Sequence, residues 1–238
     1  MFAGGLGQVA DDATMARAAE LEARLGHASP QDIIEAAVRA YEGRITLVSS
    51  FGTEAAVLLD LVAEVDPATP VLFLDTGMLF SETLDYRDIL IERLGLTDVR
   101  TLAPEEEAVR AEDPDSFLWQ SAPDACCALR KVAPLARALE GFAAWINGRK
   151  RYQAVTRRRL PVVEADGTRI KFSPLASWGR AEIEAWFERR ALPNHPLAAQ
   201  GFPSIGCMPC TSRVKPGEDI RAGRWRGQGK IECGIHVK

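Results

Sequence analysis

Apolar residues recur at helical spacing across Asp11–Gly26, leaving one hydrophobic stripe of the kind a surface helix buries. A second helix is predicted from Ser29. Its hydroxyl can cap the first turn, while Pro30 takes the first helical position, where a missing N–H costs nothing. Beyond it, short apolar runs alternate with helical stretches. Arg44–Ser50 (RITLVSS) reads as a strand, Glu54–Val65 as a helix, Pro70–Thr76 (PVLFLDT) as a strand and Ser81–Leu94 as a helix stopped by Gly95. Val99–Leu102 is a third strand, and a helical stretch around Asp124–Glu140 leads to a fourth, Phe142–Asn147. The strands are continuously apolar rather than alternating, as strands are when both faces are covered. The fold class is therefore α/β, a mostly parallel sheet with helices on both faces. Leu160–Leu175 reads as a hairpin about Asp166-Gly167, and Gly179–Arg190 as a helix. After Asn194 glycine and proline replace periodicity, which predicts an irregular, mobile C-terminal tail. No internal repeat interrupts this order. The expected organisation is one structural domain in three stretches, 1–43, 44–206 and 207–238.

The chain has 238 residues, 47% hydrophobic and 26% charged, a balance that excludes wholesale disorder. At this length roughly 70% of the unfolded surface can be buried, so no disulfides are required for folding. No apolar run reaches the ~18–20 residues of a membrane span. The opening Met-Phe-Ala-Gly-Gly-Leu-Gly also lacks the charged and apolar regions of a secretory signal. A cytoplasmic protein is expected, without membrane or nucleic-acid partners. The net charge is −4, from 29 Lys/Arg against 33 Asp/Glu. Its distribution is uneven. Residues 207–238 hold seven Lys/Arg and three Asp/Glu, and 149–159 hold six basic residues and no acidic one. A basic tail and a basic loop on an acidic protein suggest a small anionic ligand.

Two loops sit where an open parallel sheet binds ligands, beyond the carboxyl ends of its strands. Ser49-Ser50-Phe51-Gly52-Thr53 links the first strand to its helix. A small-residue loop feeding a helix N-terminus offers N–H groups to a phosphate. It is neither a Gly-x-Gly-x-x-Gly nor a Walker loop, and alone is an ordinary strand–helix turn. Leu74-Asp75-Thr76-Gly77 ends the neighbouring strand, and the two together make a nucleotide pocket.

Five cysteines fall into a vicinal pair, Cys126-Cys127, a Cys-x-x-Cys, Cys207-Met208-Pro209-Cys210, and a single Cys233. Two such pairs clasp a metal centre, as in zinc sites and iron–sulfur clusters. Adjacent helical residues diverge by about 100°, which serves one tetrahedral zinc awkwardly. A [4Fe–4S] cube offers each thiolate its own iron and is the favoured reading. Cys233 lies among Arg221, Arg224, Arg226, Lys230 and His236. Nearby cations lower a thiol pKa from ~8.5 and make it a nucleophile.

The motifs Cys126-Cys127-Ala128-Leu129-Arg130-Lys131, Gly206-Cys207-Met208-Pro209-Cys210-Thr211, Gly223-Arg224-Trp225-Arg226-Gly227 and Glu232-Cys233-Gly234-Ile235-His236 resemble those of the assimilatory sulfonucleotide reductases. More narrowly they resemble the iron–sulfur type that reduces adenosine 5′-phosphosulfate (APS). Ser49-Ser50-Phe51-Gly52 and Leu74-Asp75-Thr76-Gly77 match that family's modified pyrophosphate loop and its following signature. The likeness runs from about Arg44 to His236 and implies an adenine nucleotide α-hydrolase-like fold. It implies one [4Fe–4S] cluster on Cys126, Cys127, Cys207 and Cys210, with Cys233 the nucleophile, forming an S-sulfocysteine. Lys131 and His236 would join Cys233 in catalysis. Ser49, Ser50, Gly52, Thr53, Leu74, Asp75, Thr76, Gly77, Arg149, Arg221 and Arg224 would bind substrate. Thioredoxin, or a glutaredoxin-like protein, would be the reductant, with sulfite and AMP as products; a homo-oligomer is left open. In these terms 44–206 is the nucleotide-binding part and 207–238 the cluster loop and catalytic tail. The sequence departs from the wider ATP-pyrophosphatase pattern at Phe51, where glycine is preferred, which counts against ATP hydrolysis. The nearest rival is a reductase of the 3′-phosphorylated substrate, which typically lacks both cysteine pairs. An ATP-dependent tRNA-thiolating enzyme should carry a fuller glycine loop. A non-catalytic iron–sulfur sensor leaves Cys233 without a purpose.

Overall fold

The computed structural model describes residues 9–236; the opening Met-Phe-Ala-Gly-Gly-Leu-Gly, read above for a leader, lies outside the described residues. Helix α1 (Asp12–Leu25) starts where the Asp11 carboxylate accepts the Thr14 N–H at 2.7 Å. Helix α2 (Pro30–Ala40) is capped by Ser29, whose Oγ accepts the Asp32 N–H at 3.1 Å, with Pro30 at its head as expected. Then come β1 (Ile45–Ser49), α3 (Ala55–Val65), β2 (Val71–Leu74), α4 (Ser81–Leu94) and β3 (Val99–Leu102). Two short helices, α5 (Glu106–Glu112) and α6 (Leu118–Ser121), follow. Neither has a buried residue, so no apolar stripe announced them.

The stretch expected as one helix around Asp124–Glu140 is broken. It comprises α7 (Pro123–Cys127), a π-type turn over Ala128–Val132 and α8 (Ala133–Ala138). In the turn the Ala133 N–H reaches the Ala128 carbonyl, five residues back. Pro134 has no N–H and crowds the carbonyl four residues before it, Arg130, so the regular register cannot continue there. The chain then forms β4 (Ala144–Ile146), β5 (Val163–Asp166), β6 (Arg169–Phe172) and α9 (Arg180–Arg190). Gly167 takes a left-handed φ of 62° between β5 and β6, where a Cβ would be strained.

The six strands form one sheet in the order β3-β2-β1-β4-β6-β5, with only the β5–β6 pairing antiparallel. This is the expected α/β architecture. Its faces divide cleanly. Ile45, Leu47, Val71, Phe73, Ile146 and Phe172 join the large core beneath α1–α4 and α9. Val48, Leu72, Leu74 and Trp145 pack with Leu135 and Leu139 on the other. Burial on both faces is why the strands are continuously apolar. The edge strand β3 is the most open, which accounts for its Arg100 and Thr101. Helix α1 closes the opposite edge, where its Glu22 carboxylate accepts the Val163 N–H at 2.7 Å. The segment after Asn194 is irregular, as expected, built of short 3-10 turns and one bridge between Thr211 and Arg224. Among the described residues no helix is long and apolar enough to cross a membrane.

Candidate active site

Strand order reverses at β1: β2 and β3 lie on one side of it and β4 on the other. Loops leaving β1 and β4 must therefore diverge, and a crevice opens beyond their carboxyl ends. Ser49, Ser50, Gly52 and Thr53 line this cleft from β1, Leu74 from β2, and Asn147–Lys150 from β4. The tail closes it with Arg221, Arg224, Ile235 and His236. Asp75, Thr76 and Gly77 do not line it. Of the three, Thr76 meets a cysteine, its Oγ1 3.3 Å from Cys207 Sγ.

The β1 loop is held at several points. Ser49 Oγ accepts the Phe51 N–H at 3.2 Å, and Thr53 Oγ1 donates to the Pro203 carbonyl at 2.8 Å. Phe51 sits at a φ of 48°, a left-handed value that glycine adopts freely and a bulky residue does not. Complete burial and an edge-on contact with Phe73, ring centroids 5.3 Å apart, hold it there. The glycine preference at this position thus has a backbone cause.

The cations around the cleft are mostly paired. Arg149 donates to Glu164 and, from Nε, to Asn147 Oδ1 at 3.0 Å; Lys171 shares Glu164 at 3.6 Å. Lys150, 2% exposed, donates to Glu54 at 2.8 Å. Burial raises the carboxyl pKa of Glu54, but Lys150, Tyr152 and Gln153 together hold it below the usual carboxylate range. Arg157, overlooked in the sequence within the basic 149–159 run, reaches the cleft and pairs with Glu232. Lys131 and Arg224 alone among these make no ion pair among the described residues. Arg224 donates to the Ile205 carbonyl at 2.9 Å and lies over the Trp225 ring at 4.4 Å, its Nε buried without a partner. Glycine at 206 makes this possible, since a Cβ there would lie 2.1 Å from Arg224 Nη2. At Gly223 a Cβ would meet the Ser212 carbonyl at 2.0 Å and break the local strand bridge.

His236 stacks on Trp145, ring planes within 6° and centroids 6.0 Å apart. Its Nδ1 is buried without a partner. Burial, then Lys171, Arg149, Arg157 and Arg221, hold the imidazole far below its ordinary pKa, so it is neutral at pH 7. Its neutral ring can accept or donate one hydrogen bond at that nitrogen, according to tautomer.

All five cysteines are reduced, four of them buried and Cys233 partly so. The structure gathers the two pairs. Cys126 feels the charge of both Cys207 and Cys210, and burial together with these neighbours pushes its thiol up to about 11. Cys210 is raised by burial and by Cys207. Such a crowd of thiols resists ionisation unless a positive centre compensates, the donor chemistry of a metal cluster. Among the described residues no three His, Cys, Asp or Glu converge tightly enough to share one metal ion. Cys233 packs against this group. A hydrogen bond from the Cys127 thiol, with the fields of Lys131 and Arg224, holds Cys233 well below the ordinary thiol range despite its burial. The partly buried Lys131 gains in return: its ammonium is raised by Cys207, Cys233 and Cys127 although burial opposes this.

A buried ion pair fixes the cysteine-bearing turn. Asp113 Oδ2 accepts Arg130 Nε at 3.0 Å and Nη2 at 2.8 Å, and Arg130 Nη1 donates to the Thr76 carbonyl at 3.0 Å. Their side chains are 2% and 6% exposed. Asp113→Ala leaves a guanidinium buried and unpaired, and should cost about 3–5 kcal/mol of stability, read from the urea midpoint. A loss within experimental error would show that the pair holds nothing in place.

The sequence profile of the phosphoadenosine phosphosulfate reductase domain matches residues 44–213. The chain belongs to this family. It is 52% identical over 229 residues to a Mesorhizobium japonicum protein named adenosine 5′-phosphosulfate reductase, covering 96% of this chain and 90% of that one. It is 42% identical over 218 residues to a Gloeobacter violaceus protein named phosphoadenosine 5′-phosphosulfate reductase, covering 88% and 89%. Within the phosphosulfate reductase family it also resembles the crystal structure of a Candida auris phosphoadenylyl-sulfate reductase in complex with phosphate. There the TM-score is 0.72 and the identity 28%, over 87% of this chain and all of that one.

Proposed function

We propose that this chain is a cytoplasmic reductase of adenosine 5′-phosphosulfate, releasing sulfite and AMP for sulfate assimilation. The observation that carries the reading is the gathering of Cys233 with Lys131 and Arg224 beside a strand-end cleft that Arg224, Ile235 and His236 line. The adenosine end lies by Ser49, Ser50, Gly52, Thr53 and Leu74, and the sulfate points toward Arg221, Arg224 and His236. The Cys233 thiolate attacks the sulfate sulfur, the bond from sulfur to the phosphate oxygen breaks, and AMP departs with that electron pair. Lys131 and Arg224, the cations without a carboxylate partner, stabilise the charge that develops there. A thiolate of a dithiol protein such as thioredoxin then attacks Cys233 Sγ, sulfite leaves, and the second thiol resolves the mixed disulfide. The dithiol supplies both electrons.

Cys126, Cys127, Cys207 and Cys210 would hold one [4Fe–4S] cluster, consistent with four buried thiols drawn from the end of α7 and from the 207–210 loop. When bound, it supplies fixed charge and geometry beside Lys131 rather than electrons. Asp75, Thr76 and Gly77 then serve the cysteine side of the site, through the contact of Thr76 with Cys207, rather than the nucleotide. Arg149 acts as a wall of the cleft whose charge Glu164 offsets.

The rival substrate carries an added 3′-phosphate dianion. Arg149, Lys150, Arg157, Lys171 and Arg221 are already paired with Glu164, Glu54 or Glu232. Of the cations lining the cleft, only Arg224 makes no ion pair among the described residues, and it stands at the proposed sulfate end. With anaerobically purified protein and thioredoxin, kcat/KM for APS should exceed that for the 3′-phosphorylated form by on the order of a hundredfold, ~2.7 kcal/mol. Equal constants would overturn the choice of substrate.

A further inference from the structure

The tail that carries Cys233 is fastened to the body on both sides of the cysteine's approach. Lys230 donates to Asp124 and to the Pro123 carbonyl, at the head of α7. Closer to the nucleophile, Glu232 makes a two-pronged pair with Arg157, Nε to Oε1 and Nη2 to Oε2, each at 2.6 Å. Thr156 Oγ1 donates to the same carboxylate at 3.3 Å, and Arg221 Nη2 stands 3.5 Å from Oε2. Side-chain exposure is 10% for Arg157, 14% for Glu232 and 15% for Arg221, so solvent screens these charges little. The receiving end is built rather than incidental. Arg157 Nη1 donates to Gln153 at 2.6 Å, and Gln153 in turn donates to Glu54 at 2.8 Å. Arg221 also donates to the Ile231 carbonyl at 3.0 Å, gripping the tail backbone next to Glu232.

Arg157 and Arg221 also line the cleft. The same two guanidinium groups therefore face a carboxylate of the tail on one side and the cleft on the other. We infer that Glu232 is a positioning residue that docks the tail on Arg157 and Arg221, bringing Cys233 to the Lys131–Arg224 side of the cleft. By the same contacts it offsets those two cations, which weakens their hold on any anion in the cleft. The docking part stands on the ion pairs alone; the part about catalysis rests on the reductase reading given above.

The test compares the iron-loaded full chain with Glu232→Gln and the charge-keeping Glu232→Asp. Trypsin cleavage after Lys230, whose side chain is 6% exposed when the tail is docked, should be at least fivefold faster in Glu232→Gln without nucleotide. AMP, measured by calorimetry, should bind at least threefold tighter, because two cations lose their internal counter-anion. Single-turnover transfer of the sulfonate to Cys233 should slow at least thirtyfold, with iron content unchanged. Glu232→Asp should move all three values back toward wild type. Tighter AMP binding with slower transfer is a combination that general loosening does not produce. Cleavage at the wild-type rate, or AMP binding that weakens, overturns the inference. If Glu232→Gln loses its iron, the Asp variant decides alone: slowed transfer without faster cleavage counts against docking. Wild-type protein that takes no sulfonate from APS refutes the reductase reading, while the cleavage comparison still judges the latch.

Discussion

Cys233→Ser should bring sulfite release down to background, a fall on the order of 10⁴-fold or more, while leaving iron content and AMP affinity at wild-type values. The reasons are local. Four of the five cysteines are buried together, and the fifth, partly exposed, is set apart by its place on the tail. Lys131 and Arg224 hold negative charge at that position. A serine hydroxyl is hardly ionised at neutral pH in the same field, and its sulfate ester could not be resolved by a thiol. The part of the cleft proposed for AMP is lined by the β1 and β4 loops, which do not involve residue 233. Wild-type enzyme incubated with APS and no thioredoxin should therefore gain one sulfonate, found by mass spectrometry on the peptide holding Cys233. Thioredoxin should then release sulfite and restore the free thiol. An adduct on another residue, or substantial turnover by the serine variant, would refute the mechanism.

The sheet was legible because both its faces are buried. β2 and β4 are apolar throughout, and β1 is buried throughout with only Thr46 and Ser49 polar. Caps were equally local: Ser29 with Pro30, and the turn at Gly167, follow from single residues. What could not be read had either a competing local pattern or partners far apart in the chain. The break at Ala128–Val132 comes from one proline competing with an otherwise helical pattern, and α5 and α6 bury nothing that would mark them. In the site, the sequence pointed to a basic loop and a basic tail but could not say which cations were already offset. Glu54, Glu164 and Glu232 meet Lys150, Arg149 and Arg157 across 96, 15 and 75 positions, separations that no local pattern announces. Arg157 and Glu232 were hidden for this reason, although both lie within stretches singled out for their charge. Likewise Asp75-Thr76-Gly77 was read as nucleotide-facing from its place at a strand end. Thr76 of this stretch lies against Cys207, a contact that no local pattern announces.

That contact frames the second large effect. Cys207→Ser should yield colourless protein, with iron and sulfide near zero, that precipitates well below the temperature tolerated by wild type. Cys207 and Cys210 lie in a loop with no strand or long helix of its own, held by the Met208 N–H on the Met78 carbonyl at 2.8 Å and by Thr211 on the Cys207 carbonyl at 2.9 Å. Other bonds of this segment, such as the Trp225 N–H on the Cys210 carbonyl at 3.0 Å, run to the tail rather than to the sheet. A cluster bridging this loop to Cys126 and Cys127 would supply the missing constraint, because binding free energy at a site formed only in the folded state is folding free energy. Serine keeps the volume and the polar contact to Thr76. It does not supply a soft thiolate at neutral pH, so what is lost is ligation and little else. Wild-type protein should be brown, with iron and sulfide in near equal amounts, and should bleach on exposure to chelator and oxygen. A colourless, fully active wild type holding stoichiometric zinc would overturn the cluster. A Cys207→Ser protein that keeps its colour and its stability would show that residue 207 is not among the ligands.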